Sequence, residues 1–108
     1  MVQLFIVKGD SMQPFCGEGD FVLSLPYLFS KPRIGQVIVL NDPKEKDHLL
    51  LKRIIHINKT DHHFLLWVEG ENKEQSFDSR AFGWIPFDSI LGRAVMLRKP
   101  HGVIHRYS

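Results

Sequence analysis

Short apolar runs alternate with turn-forming residues along the chain. Residues 2–8 (VQLFIVK) are rich in apolar and β-branched side chains. Residues 21–25 follow Gly19-Asp20, and residues 36–40 follow Gly35 and stop at Asn41-Asp42-Pro43. A longer run covers residues 49–58, another covers 64–69 and ends at Gly70, and residues 92–97 close the pattern before Pro100. Runs of this length, bounded by Gly, Pro, Asn and Asp, predict strands of an all-β domain. No long segment repeats its apolar positions at the helical period. Residues 27–34 follow Pro26 and contain Pro32, and read as loop or a single turn. The expected fold is one irregular antiparallel β-barrel or sandwich, with residues 1–108 forming a single domain.

Length and composition agree with that expectation. A chain of 108 residues with 44% hydrophobic residues is large enough to bury a core of its own. The balance of 14 Lys+Arg against 12 Asp+Glu argues against nucleic acid as partner, since such binders carry a clustered basic face. The basic residues near the C-terminus, Arg93, Arg98, Lys99 and Arg106, read as a solvated edge. A single cysteine, Cys16, excludes an intramolecular disulfide and fits a reducing compartment. With no basic neighbour, it reads as a buried, inert thiol. No segment approaches the roughly 20 apolar residues of a membrane helix. The first residues lack the cationic start and small-residue cleavage site of a signal peptide. The expected location is therefore the cytoplasm, with no membrane span in this chain.

Three separated segments carry chemistry. In Gly9-Asp10-Ser11-Met12-Gln13-Pro14, a glycine and a proline bracket a serine just after a predicted strand. Such a turn can aim a hydroxyl and a backbone N–H at one point, as an oxyanion hole requires. In Leu51-Lys52-Arg53-Ile54-Ile55, strand alternation puts Lys52 on a face with Leu50 and Ile54, and Arg53 on the other. Burial among apolar side chains lowers a lysine pKa. A general base works best near about pH 7–8, well below free lysine. Serine with a desolvated lysine is an established form of nucleophilic catalysis. Residues 70–86 (GENKEQSFDSRAFGWIP) gather Ser76, Asp78, Ser79 and Arg80 within five positions. Asp78 and Arg80 can pair and fix the loop, and Ser76 can orient the lysine amine. Each segment alone also has a plain reading: a turn serine, a snorkelling strand lysine, a solvated loop.

Taken together and in this order, the segments resemble the type I signal peptidases, a family of serine–lysine peptidases. The resemblance runs through Gly9-Asp10-Ser11-Met12-Gln13-Pro14, Gly19-Asp20-Phe21-Val22, Lys52-Arg53-Ile54, Gly70-Glu71-Asn72, Ser76-Phe77-Asp78-Ser79-Arg80, Gly83-Trp84-Ile85-Pro86 and Ile90-Leu91-Gly92-Arg93-Ala94. It implies Ser11 as nucleophile, Lys52 as general base, Ser76 as support of the lysine, and Asp78 with Arg80 as a structural pair beneath the site. Gly9 and Met12 belong to the nucleophile motif and support it. No cofactor or metal is implied. The chain departs from the family in three places. Gly9 stands where some members carry a hydroxyl donor to the oxyanion hole. His56 stands where a glycine is frequent, and Glu71 where an aspartate is usual.

The chain starts just before the nucleophile motif, without the membrane anchor or extra β-subdomain of many members. It thus resembles the small soluble branch, the nickel-type superoxide dismutase maturation proteases. The implied partner is a precursor protein with an N-terminal leader, the nickel superoxide dismutase precursor being the first candidate. Two alternatives stand beside this reading: the catalytic core of a membrane-anchored signal peptidase, and a catalytically silent β-domain that binds peptide or nucleic acid. A self-cleaving repressor-type peptidase also uses serine and lysine, but no DNA-binding segment precedes the site.

Other signals carry less. The six histidines, His48, His56, His62, His63, His101 and His105, form no dense cluster at metal-ligand spacing and read as surface residues. His62 and His63 fall in an expected hairpin turn. Most aromatic residues read as core, with Phe15, Trp67, Phe82 and Trp84 as candidates to frame a peptide groove.

Overall fold

A computed structural model describes residues 2–8, 11–14, 16–28, 30–44, 49–75, 77–98 and 104–106. Gly9, Asp10, Phe15, His48, Ser76 and His101 lie outside the described residues. The strands are β1 (Gln3–Ile6), β2 (Phe21–Leu25), β3 (Val37–Asn41), β4 (Leu49–Lys59), β5 (Phe64–Glu69), β6 (Ile85–Pro86), β7 (Ile90–Arg98) and β8 (Ile104–Arg106). One four-residue helix, α1 (Ser79–Phe82), lies between β5 and β6. Every strand pairing is antiparallel, in the order β1-β2-β7-β3-β4-β5-β6, and β8 pairs with β7. The all-β expectation holds: this is one curled antiparallel sheet with little helix.

Strand alternation sorts the core. On β3, Val37 belongs to one buried cluster, with Met12, Cys16, Val22 and Ala94. Its neighbour Ile38 belongs to a second, with Leu40, Ile54, Leu66, Val68 and Ile85. Successive side chains on a strand point to opposite faces, so the two clusters lie on either side of the central strands. Each fully buried Ile, Leu or Val contributes about 1.5–3 kcal/mol. The second cluster, with Ile38, Leu40, Ile54, Leu66 and Val68 all at 0% exposure, anchors the sheet's centre. Lys52 stands directly opposite Ile38 in the β3–β4 register.

Three local features depart from the sequence pattern. The β4–β5 register slips between Ile54 and His56, leaving Ile55 as the extra residue of a bulge. His56 follows it and is exposed, and β4 continues through it to Lys59. β6 has only two residues, one of them Pro86, too short to read as a strand. The polar run expected as loop contains α1, whose start is capped by Asp78 and whose end is closed by Gly83 at φ 83°. The β4–β5 hairpin closes as expected, with Thr60 N–H donating to the His63 carbonyl at 2.9 Å.

Gly92 on β7 is set against β2. A Cβ there would stand 2.6 Å from the Leu25 carbonyl oxygen and 2.4 Å from Ser24 Oγ. The backbone oxygen cannot retreat without opening the β2–β7 pairing. Gly92→Ala is expected to destabilise the domain by about 1–3 kcal/mol, read as a lower urea midpoint at unchanged slope. An unchanged midpoint would show that the two strands have room to separate.

Candidate active site

The site is built around a polar knot on one edge of β5. β6 pairs with β5 only at Leu65 and Leu66, which leaves the edge beyond Leu66 without a strand partner there. The N–H groups of Val68 and Gly70 on that edge donate to side chains instead. Ser79 Oγ accepts from Val68 at 2.9 Å, and Asp78 Oδ2 accepts from Gly70 at 2.9 Å. Buried backbone donors need such partners, and Asp78 and Ser79 are each 1% exposed. The segment is therefore part of the sheet's hydrogen bonding.

Asp78 does more than cap. Its Oδ1 accepts from the Arg80 backbone N–H at 3.1 Å and from Arg80 Nε at 3.0 Å, and its Oδ2 accepts from Arg80 Nη2 at 2.9 Å. This two-pronged guanidinium–carboxylate pair fixes direction as well as charge. Burial alone would raise the Asp78 pKa. The Arg80 and Gly70 hydrogen bonds outweigh it and hold the carboxyl below the ordinary aspartate range. Arg80 Nη2 also donates to the Lys73 carbonyl at 3.2 Å, tying in the 3₁₀ turn at Lys73–Gln75.

Lys52 sits near this knot, 1% exposed. Burial lowers its pKa below the ordinary 10.5; Asp78 and Asp42 pull it upward, and Arg80 pushes it down. Desolvation is the largest of these, and the Arg80 charge, paired with Asp78, offsets part of the Asp78 pull. The buried amine is thus biased toward its neutral, proton-accepting form. Asp42 was not singled out in the sequence. It is buried at the end of β3, where its Oδ1 accepts from the Lys44 N–H at 2.8 Å.

Ser11 opens the turn at residues 11–14 and is half-buried. Met12 beside it is 1% exposed and packs into the first cluster, and the Cys16 N–H donates to the Met12 carbonyl at 3.0 Å. Apolar anchoring thus holds the turn while leaving Ser11 on a groove of about 470 Å³. That groove is lined by residues of the β1 segment, by Met12, Val22 and Val39, and by Leu49, Leu50 and Leu51 of β4. Lys52 is not on the lining; it lies one residue beyond Leu51, buried on β4. Among the aromatic residues, Phe5 lines the groove. Of the expected framing residues Phe15 lies outside the described residues, Trp67 and Trp84 pack edge to face at 5.4 Å, and Phe82 packs against the second cluster.

A strut that the sequence reading missed joins the serine turn to the knot. The Ser11 carbonyl accepts from the Asn72 N–H at 2.8 Å. Asn72 follows Glu71, whose Oε1 accepts from Arg53 Nε and Nη2, both at 2.7 Å. Arg53 Nη1 donates to the Gly35 carbonyl at 2.7 Å. Arg53 therefore holds, from β4, the loop that holds Ser11. Its position beside Lys52 and the acidic residue in Gly70-Glu71-Asn72 were the available signals. Gly9 and Ser76, both expected to support the site, lie outside the described residues.

The signal peptidase (peptidase S26) family model matches residues 1–58 and 60–98. The chain belongs to the S26 peptidase family. It is 28% identical over 111 residues to the mitochondrial ATP-independent inner membrane protease subunit 1a of Arabidopsis thaliana, covering 83% of this chain and 66% of that protein. It is 27% identical over 104 residues to the human mitochondrial inner membrane protease subunit 1, covering 80% and 63%. The zebrafish (Danio rerio) inner membrane protease subunit 2 is 30% identical over 110 residues, covering 82% and 59%. The matched region is thus less than two thirds of these relatives' own length. Among the described residues of this S26 chain, no helix is long and apolar enough to cross a membrane, and no group of three His, Cys, Asp or Glu could hold a metal ion.

Two outcomes follow from the geometry. Lys52→Met replaces a buried amine by an apolar side chain of similar length, and at neutral pH it is expected to be more stable than the native chain by order 1 kcal/mol or more. Because the folded pKa lies below the unfolded one, the unfolded state binds the extra proton between the two. Native stability therefore rises with pH through that window, and the gain from Lys52→Met shrinks toward pH 10.5. Thermal unfolding of both proteins across pH checks this; a gain that grows with pH would reverse the assignment. Glu71→Ala removes a half-exposed pair, so it should cost at most about 1 kcal/mol. Amide exchange at Asn72 should nonetheless rise more than the average of its loop. Unchanged exchange there would mean that the strut does not hold the turn.

Proposed function

We propose that the chain is a serine endopeptidase in which Ser11 is the nucleophile and Lys52 its general base. The observation that carries this reading is the buried Lys52 amine, held toward the neutral form beside an aspartate already engaged by Arg80. S26 membership supports peptide hydrolysis as the reaction class. Ser11 Oγ attacks the scissile carbonyl as Lys52 Nζ takes its proton, giving a tetrahedral intermediate. The resulting ammonium gives that proton to the leaving amine, and the acyl group stays on Ser11. Water then attacks the ester with Lys52 again as base, which releases the acid and restores the serine. The Ser11 backbone N–H is the main-chain donor to the oxyanion.

The proposed substrate is an extended N-terminal leader. Among the described residues β1 pairs with β2 alone, which leaves its other side for a peptide to add as a further strand beside the groove. On the resemblance to the small soluble branch, the nickel superoxide dismutase precursor is the first candidate and the cytoplasm the place of action. The inner membrane proteases among the relatives favour a second reading, in which the same chemistry serves as the core of a membrane-associated processing protease.

Ser11→Ala and Lys52→Met are each expected to lower kcat/KM by at least about a thousandfold while the fold is retained. Native kcat/KM should rise with pH to a plateau whose midpoint lies below 10.5. Lys52→Met keeping most of the activity would refute the dyad. Mass spectrometry of leader-bearing precursors incubated with native and Ser11→Ala protein separates the two substrate readings. One new N-terminus on the dismutase precursor, absent with Ser11→Ala, supports the first; cleavage confined to membrane-targeted precursors supports the second.

A further inference from the structure

Most of the described side chains that line the groove beside Ser11 are apolar, including Phe5, Val7, Val22, Val39 and Leu51. Lys8 stands among them. Among the described residues that line the groove it is the one charged side chain, it is exposed, and none of the lining residues is acidic. Among the described residues Lys8 makes no ion pair that would occupy its ammonium. It stands at the end of the β1 segment, three residues before Ser11. A cation beside low-dielectric walls concentrates its field into the cleft. An extended chain advances about 3.3 Å per residue, so Lys8 stands within roughly 10 Å along the chain from the nucleophile.

We propose that Lys8 is a specificity-determining residue, which selects peptides carrying Asp or Glu within a few residues of the cleaved bond. The inference rests on the peptidase reading of the groove and adds the charge of its substrate. A peptide added along β1 must pass Lys8 before it reaches Ser11. An acidic side chain there meets a cation that no described residue pairs with, while a lysine meets like charge. Because Lys8 is exposed, the preference is modest, about two- to fivefold, and salt weakens it.

The test uses binding and cleavage separately. Fluorescent peptides with a central Ala-Ala bond carry Asp, Asn or Lys in turn at each nearby position on both sides. Their affinity for the Ser11→Ala protein is measured by anisotropy at low salt and at about 0.5 M salt. At one position or more, Asp should bind about two- to fivefold more tightly than Asn, and Lys more weakly, with the spread collapsing at high salt. Adding Lys8→Glu should reverse that order. An order unmoved by Lys8→Glu, or Asp no tighter than Asn at every position, overturns the proposal. Cleavage of the same peptides by the native chain tells the two claims apart. Charge-selective binding without cleavage supports Lys8 and sinks the peptidase reading, while cleavage blind to charge at every position sinks Lys8 and leaves the peptidase.

Discussion

The arrangement depends on one electrostatic division of labour: Asp78 gives its charge to Arg80 and so does not hold Lys52 as an ammonium. A lysine at 1% exposure beside an unengaged carboxylate would settle as a buried ion pair, with its pKa raised and its lone pair unavailable. Here the guanidinium takes both carboxylate oxygens, the Gly70 N–H takes a further lone pair, and desolvation is left to dominate at Lys52. Arg80 acts on the lysine twice, by engaging Asp78 and by its own positive charge.

The same residues complete the sheet. β5 outruns its short partner β6, and Asp78 and Ser79 supply the missing acceptors. The knot is thus required by the fold before it is used by any chemistry. From it a chain of contacts reaches the serine turn, through Gly70, Asn72 and the Ser11 carbonyl, with Arg53 and Glu71 bracing the loop from β4. Lys52 and Arg53 are adjacent on one strand and point to opposite faces. One is buried and the other braces the turn, so a single strand carries both the buried amine and the strut.

Much of this was readable from residue order alone. β2 and β5 fall at their expected bounds because Gly19-Asp20 and Gly70 mark them locally. The facing of Lys52 follows from the period of two. What escaped was set by contacts distant in sequence. The bulge at Ile55 depends on how β5 meets β4, and β6 exists only because Leu65 and Leu66 are there to pair with it. The helix at Ser79–Phe82 is too short to show a period, although Asp78 before it and Gly83 after it are its caps. The Arg53–Glu71 strut spans 18 positions, and sequence spacing does not report such a contact. Among the described aromatic residues Phe5 lines the groove, whereas Trp67 and Trp84 pack against each other, a contact that sequence spacing does not report.

The central claim is that Lys52 is neutral in the folded protein at a pH where an ordinary lysine is charged. Its direct test is an NMR titration of lysine labelled with ¹³C at Cε, with the Lys52 signal assigned by its loss in Lys52→Met. The account predicts one lysine titrating clearly below 10.5 while the exposed lysines stay near it. A Lys52 signal titrating at or above 10.5 would contradict the account, since the amine would then be a buried ammonium and no base.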